Sequence, residues 1–557
     1  MTGSLAARVG RLAPRRADWA QASLRRDLAA GVMVALVALP LALGFGVSSG
    51  VGAGAGIVTA IVAGAVAAVF GGSHVQVSGP TGAMTVVLIP IVAAHGVDGV
   101  LVVGLLAGVL LLVLAVTGAG RAIRYVPVSV IEGFTLGIAV IIGLQQLPAA
   151  LGVDVHAEKV LVLAGDALRA WADAPAWGAP ATAFGVAALI VVSARVRAGF
   201  PAALLLVGLA TAANELLASG GRAPLRTIGA IPSGLPAPHL PSVPWGDLDT
   251  LLIAAVAVAA LGALESLLSA TVADAMSVGQ RHDPDRELLG QGLANIVSPL
   301  FGGIPATAAI ARTAVNVRSG AGSRLAALTH AVLLLAVVLV AARWVGHIPL
   351  AALAGVLIAT AVQMVRVSSL TPLLRATRGD AATLLITATA TVALDLVLAV
   401  IIGLVAAGFF ALRQTATTAR LQEVPLDESD HHDEERRLLD EQIVAYRLDG
   451  PLFFAAAHDF LLELSEVRRV RVVVLRMSRL TAVDATGAHV LADTIGRLER
   501  RGITVLLSGI RPEHLAVLRR LGVDQQLAHE RHLFATTPEA IAHARLHVAR
   551  VAHDPAA

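Results

Sequence analysis

Residues 261–320 read LGALESLLSATVADAMSVGQRHDPDRELLGQGLANIVSPLFGGIPATAAIARTAVNVRSG. Apolar runs surround this stretch, yet Glu265 sits inside one of them and Arg312 inside another that is rich in Gly, Ala and Pro. A charge at the centre of a bilayer costs about 2.5–3.5 kcal/mol on insertion scales, so such residues face a partner or a water-filled cavity. Ser269 follows Glu265 by four positions, which places both polar groups on one face of a helix. Gly302, Gly303 and Pro305 break the second run, with Thr307 and Thr313 close by. Paired short segments interrupted by Gly and Pro, one in each half of a chain, point to the binding site of a membrane transporter.

The matching segment is GGSHVQVSGPTGAMTVVLIPIV, residues 71–92. His74 to Ser78 alternates and is β-branched, which predicts an extended piece. Ser78 is placed to cap a helix, with Pro80 in its first turn and Thr81 following. A helix that begins inside the membrane turns its free N–H groups and positive dipole end toward the cavity, and such an end binds anions. His74 is read as a packed or interfacial residue.

Outward from these two segments, the 557 residues are 56% hydrophobic and 15% charged. Apolar runs of about 20 residues recur from Leu28 to Leu412, the length that crosses a bilayer. The chain reads as a polytopic α-helical membrane protein. A net charge of +3 offers no nucleic-acid patch, and the absence of Cys excludes disulfides and thiolate chemistry. Arg8, Arg11, Arg15, Arg16, Arg25 and Arg26 precede the first run, so residues 1–27 are expected to be a cytoplasmic lead-in and not a cleaved signal.

Span 1 covers about Leu28 to Ser48, and Pro40, Gly44 and Gly46 are expected to kink or unwind its second half. Phe45 either lines the cavity or packs against a helix or lipid. Span 2 is 52–70 and span 4 is 97–118, followed by Arg121 and Arg124 in an inside loop. Span 5 starts near Val128, with Glu132 at its beginning and Gln145 and Gln146 at its far end. Residues 154–177, carrying Glu158, Lys159, Asp166, Arg169 and Asp173, read as an amphipathic outer loop. Spans 6 and 7 meet near Arg195 and Arg197, and a Pro-rich stretch over 220–249 separates the halves.

The second half repeats the plan. Span 8 is 251–273, the charged RHDPDRE at 281–287 is an inside loop, and a short span ends at Leu300 before the broken one. Arg318 and Arg324, then Arg366, Arg375 and Arg378, mark further inside loops, and a final hairpin turns near Asp395. The count is about fourteen spans, with both termini on the cytoplasmic side. Seven per half, over about 28–218 and 250–412, makes the halves inverted repeats. Residues 413–440 read as an acidic linker, in which the pair His431 and His432 belongs to a solvated charge run. Residues 441–548 alternate strand and helix patterns, as a soluble α/β domain does. Neither a nucleotide loop nor a metal cluster is visible, so no enzymatic activity, cofactor or metal is expected.

Four stretches in order, VALVALPLALGFG (34–46), SGPTGAM (78–84), LESLLSATVAD (264–274) and NIVSPLFGGIPATAAIARTAVNVRSGA (295–321), resemble the sulfate permease (SulP) family with its carboxy-terminal STAS domain. The resemblance implies a core of spans 1–4 and 8–11, a gate from the others, and an anion held between the amino ends of half-helices 3 and 10. By motif it assigns the anion site to Leu41, Phe45, Pro80, Thr81, Ala308, Ala309, Ala311, Arg312 and Thr313. It makes Glu265, with Ser269 beside it, the residue that couples the anion to a proton or cation. It also implies a multi-pass protein of the cell (inner) membrane, in contact with lipid, working as a homodimer on a small inorganic or organic anion. Two departures stand out. Ile310 replaces a small hydroxyl residue that contacts sodium in a sodium–bicarbonate branch, and Leu41 replaces a polar residue of several relatives. VDATG (483–487) resembles the STAS turn whose third position is phosphorylated in anti-sigma antagonists, which here is Thr486.

The expected function is secondary active transport of sulfate, bicarbonate or dicarboxylates, with the STAS domain regulating or assembling the carrier. A static Glu265–Arg312 ion pair, an anion sensor with STAS output, and a nucleobase carrier on the same fold are the competing readings.

Overall fold

The computed structural model describes residues 12, 14, 23–121, 126–157, 159–196, 200–221, 223–277, 281–365, 367–394, 396–418, 420–423, 442–452 and 470–552. Arg8, Arg11, Arg15, Arg16, Arg124, Glu158, Arg197, Arg366, Asp395, His431 and His432 lie outside them. The chain forms two compact units, residues 1–407 and 408–557.

The first unit is helical. Its first half runs α1 (Leu24–Ser48), α2 (Ala53–Phe70), the two-residue β1 (Ser78–Gly79), α3 (Gly82–Thr117), α4 (Val128–Gln145), α5 (Leu147–Leu151), α6 (Val160–Asp173), α7 (Gly178–Val196) and α8 (Ala202–Ser219). The second half runs α9 (Leu248–Met276), α10 (Pro284–Leu300), β2 (Thr307–Ala308), α11 (Ile310–Arg318), α12 (Arg324–Val345), α13 (Leu350–Met364), α14 (Val367–Ala376), α15 (Arg378–Ala393) and α16 (Leu396–Thr418). Among the described residues, 10 helices are long and apolar enough to cross a membrane. The chain is a multi-pass helical membrane protein.

α3 is two helices joined at Gly96, whose φ of 67° and ψ of −167° interrupt the helical path. Its first arm is therefore a short helix that begins at the break predicted near residue 80, and its second arm is the expected span 4. α1 stays helical through Pro40 to Ser48, so the expected unwinding does not occur. Its glycines serve close packing instead. A Cβ on Gly46 would lie 2.4 Å from the Gly52 carbonyl, and one on Gly56 would lie 2.0 Å from the Ala42 carbonyl. Such approaches let backbones touch, which is how membrane helices gain van der Waals contact without a hydrophobic drive.

α1, α2 and α3 pack with α9, α10, α11 and α12 around the broken segments. α4, α7, α13 and α15 pack chiefly among themselves, with α13 also touching α1. Two segments read as loops are ordered differently. Residues 160–173 of the outer loop form the helix α6. RHDPDRE is only in part a solvated loop: Arg281 and Asp283 are exposed, but Asp283 caps α10 by accepting from the Asp285 and Arg286 N–H groups, and Asp285, Arg286 and Glu287 are buried. The first turn of a helix carries free N–H groups and a positive end, so it attracts carboxylates that hydropathy assigns to water. Asp285 pairs with Arg121 at 3.1 Å, and Glu287 accepts from the Gly72 and Ser73 N–H groups at 2.8 and 3.1 Å. Arg324 likewise is the buried first residue of α12, its Nη1 donating to the Ala68 carbonyl at 3.0 Å.

The second unit is an α/β domain with strands β3 (Arg420–Glu423), β4 (Ile443–Leu452), β5 (Val472–Arg476), β6 (Leu480–Val483), β7 (Thr504–Ser508) and β8 (Leu533–Phe534). The order is β3-β4-β5-β7-β8, with β6 also on β4; β3 is antiparallel and the other pairings are parallel. Its described helices are α17 (Ala485–Arg500), α18 (Pro512–Arg520) and α19 (Thr537–Ala552). Val473 and Leu475 face α17, packing with Leu491, Ile495 and Leu498, while Val472 and Val474 face Ala540, Ile541 and Ala544 of α19. Period-two alternation thus buries both faces of β5, as a central parallel strand requires. The linker expected over 413–440 is shorter than the composition suggests: α16 continues to Thr418 and β3 joins the sheet.

Candidate functional site

The two breaks meet. β1 and β2 pair antiparallel, Ser78 opposite Ala308 and Gly79 opposite Thr307, and the Ala309 N–H donates to the Val77 carbonyl at 3.0 Å. The first arm of α3 and the whole of α11 start from this crossing. Thr81 caps α3, its Oγ1 accepting from the Met84 N–H; Ser78 lies in β1 and Pro80 precedes the helix, so neither has the role its position suggested. Ser78 Oγ instead accepts from Gln291 Nε2 at 2.6 Å. A threonine can cap and donate at once, because its hydroxyl carries both a proton and lone pairs.

Glu265, half-buried on α9, binds the crossing from the side. Its Oε2 accepts from Thr81 Oγ1 at 2.8 Å and from Thr307 Oγ1 at 2.8 Å. One carboxylate oxygen therefore ties both broken segments together. Hydrogen bonds to a charged group contribute roughly 1.5–3 kcal/mol each. Two of them are comparable to the cost of about 2.5–3.5 kcal/mol for holding a carboxylate in the membrane.

Arg312, on the first turn of α11, is 1% exposed. Its Nη2 donates to the Pro80 carbonyl at 2.9 Å, while Nη1 is buried with no hydrogen-bond partner among the described residues. Gly79 admits it: φ is +155° there, and a Cβ would stand 2.6 Å from Nη1. Among the described residues no ion pair at contact distance joins Arg312 to Glu265; the carboxylate oxygen Oε2 is held by threonines and Nη2 of the guanidinium by a carbonyl.

Phe45 and Leu41 are buried one turn apart on α1, and a Cβ on Gly82 would lie 3.1 Å from Phe45 Cε1. Phe45 thus covers the start of α3. Ala309 and Ile310 are half-buried and Ala311 is exposed, so the amino end of α11 is open. Ser269 and Thr313 belong to the scaffold behind it. Ser269 Oγ donates to Thr313 Oγ1 at 3.2 Å, which in turn accepts from the Val77 N–H at 3.1 Å. Ser269 therefore shares a face with Glu265 without bonding to it.

The scaffold holds residues that the sequence reading passed over. Gln76 Nε2 donates to the Ser266 carbonyl, Ser266 Oγ accepts from the Ala308 N–H, and Asn316 Nδ2 donates to the Val75 carbonyl. Asn295 brackets Ala306, donating to its carbonyl and accepting from its N–H, both at 2.8 Å. Extended backbone at membrane depth needs such partners, because no water is there to supply them. A signal for them is present: Glu287, Gln291 and Asn295 recur every fourth residue along α10, a polar stripe on one face of the helix.

In the second unit Asp484 caps α17 by accepting from the Gly487 N–H at 2.7 Å, which leaves Thr486 exposed on the first turn.

Two helices starting from one crossing inside a multi-pass bundle, with a buried arginine on one of them, a carboxylate joining both breaks and an α/β domain following, are the frame of a membrane transporter. Residues 24–387 match the sulfate permease family and 439–540 the STAS domain. The chain belongs to the sulfate permease family. It is 33% identical over 519 residues to YvdB of Bacillus subtilis (strain 168), which carries a provisional name as a sulfate transporter, covering 92% of this chain and 96% of that one. The transmembrane domain of a cyanobacterium bicarbonate transporter, BicA, superposes with a TM-score of 0.61 at 33% identity, covering 69% of this chain and 97% of that one. Murine Slc26a9, an anion transporter in the inward-facing state, shares the fold with a TM-score of 0.83 at 17% identity, over 98% and 96% of the two chains.

Proposed function

We propose that this chain is a secondary active carrier of a small anion of the sulfate, bicarbonate or dicarboxylate class, coupled to protons. The anion lies between the open amino ends of α3 and α11, walled by Phe45, Leu41, Pro80, Thr81 and Ala308 to Ala311, with Arg312 supplying positive charge. Fourteen spans in two inverted sets of seven, an inner-membrane location with cytoplasmic termini, and a homodimeric assembly complete the reading. The STAS domain regulates or assembles the carrier. Transport and not catalysis is its work, since the relatives are transporters.

One observation carries the proposal. A single carboxylate oxygen of Glu265 is held by hydroxyls from both broken segments, and Nη1 of the guanidinium beside them is buried without a partner among the described residues. Protonation of Glu265 would neutralise the negative group nearest the anion, so proton and anion favour each other's binding, and linkage makes that reciprocal.

The test is uptake of radiolabelled sulfate, bicarbonate and dicarboxylates into proteoliposomes, with and without an inward proton gradient. Wild type concentrates one of them when the gradient is applied. Glu265→Gln, which mimics the protonated form, still binds and exchanges that anion but loses the accumulation. If it still accumulates anion in response to the gradient, Glu265 is not the coupling residue. A second reading puts sodium in place of the proton. It is favoured by the convergence of a carboxylate oxygen with two hydroxyl oxygens, while Ile310 counts against it. A sodium gradient at constant pH separates the two.

A further inference from the structure

Three histidines of the second unit converge although the sequence scatters them. His543 and His547 lie four residues apart on one face of α19, and His532 ends a short turn, Glu530–His532, that leads into β8. One ring nitrogen from each of the three lies within 4.8 Å of the other two. The ring centroids are 5.5, 5.2 and 5.0 Å apart. His532 is 3% exposed, and its Nδ1 is buried with no hydrogen-bond partner among the described residues. Phe534, 5.1 Å from His543 between centroids, forms an apolar wall on one side. A buried imidazole nitrogen without a partner is costly, and native structures give such groups a reason to be there.

We infer that His532, His543 and His547 form a binding site for a late first-row divalent metal ion such as Zn²⁺, Ni²⁺ or Co²⁺. Neutral imidazole is the preferred ligand of these ions, whereas Mg²⁺ and Ca²⁺ require oxygen sets that this cluster does not offer. Zn–N bonds of about 2.0–2.1 Å place the nitrogens of a tetrahedral set about 3.3 Å apart, so on binding an ion the three rings would draw closer than they stand here. Three protein ligands leave a fourth position open to water or an outside ligand. His529, with its ring 6.0 Å from that of His532, is exposed and its Nδ1 accepts from the Arg531 N–H, so it stays outside the set. The cluster is hard to read from the sequence for a simple reason. The ligands come from two elements, and the conspicuous pair His431 and His432 drew attention to the acidic stretch instead. An ion bound here pins α19 to the turn before β8.

The experiment uses tag-free full-length protein in detergent, stripped with chelator and titrated with Co²⁺. Wild type binds one ion per chain, with the strong visible absorption of a near-tetrahedral Co²⁺ site, and Zn²⁺ displaces it. His543→Ala and His547→Ala each weaken binding by at least about tenfold, and the double variant abolishes the absorption. His431→Ala/His432→Ala leaves it intact. Absence of saturable Co²⁺ binding to wild type overturns the assignment before any variant is made. So does binding that persists in a monodisperse His543→Ala/His547→Ala protein, or that is lost in the His431/His432 variant.

Discussion

Arg312 works through position as much as charge. Its guanidinium reaches from α11 to the Pro80 carbonyl between β1 and α3, and its Nη1 has no partner among the described residues. Arg312→Ala removes the full charge and leaves two helix ends, whose partial charges amount to roughly half an elementary charge each. Affinity for the transported anion is therefore expected to fall by at least about tenfold, the low end for a charge-assisted hydrogen bond of 1.5–3 kcal/mol. Equilibrium binding to monodisperse protein measures it, and unchanged affinity removes Arg312 from the site. Gly79 makes a sharper case, because its substitution acts without touching charge. Gly79→Ala places a methyl 2.6 Å from Nη1 at a φ that L-residues rarely adopt, so it displaces the guanidinium and reproduces the loss of affinity. Gly96→Ala is the matched control. It strains the backbone at φ +67° and ψ −167° with open space around it, so it costs about 1–3 kcal/mol of stability and leaves affinity unchanged. Equal affinities for wild type and Gly79→Ala would show that the approach of Arg312 to this glycine has no part in binding.

Which elements could be read from the chain follows from what each rests on. Long apolar runs announce themselves, and the Gly/Pro breaks near residues 80 and 305 marked the two short helices, because unwound backbone demands those residues. Partners were harder. Glu265 was visible as a charge in an apolar run, but its link to Thr81 and Thr307 joins residues 184 and 42 positions apart. The RHDPDRE segment was misread because hydropathy counts charges and ignores the helix N-terminus that absorbs them. β3 hid inside a polar stretch for the opposite reason: an edge strand with one pairing partner needs little apolar character.

For the molecule as a whole, β3 decides where the chain can be cut. A protein ending at Gln422 keeps most of β3 without β4 to pair it, whereas one ending at Thr418 keeps α16 and discards the strand. The shorter protein is expected to purify as a single symmetric species and the longer one to aggregate through its unpaired edge. Size-exclusion profiles of the two decide. Aggregation of both would make the second unit indispensable to the membrane fold. Within the first unit, the pairing of β1 with β2 has a mechanical corollary. Backbone hydrogen bonds clamp the starting points of the two short helices, and Glu265 bolts the clamp to α9. If the anion binds at this crossing as proposed, the ties between the two breaks favour a pocket that moves as one piece, and its exposure to one side of the bilayer and then the other would come from displacing that piece against the surrounding helices.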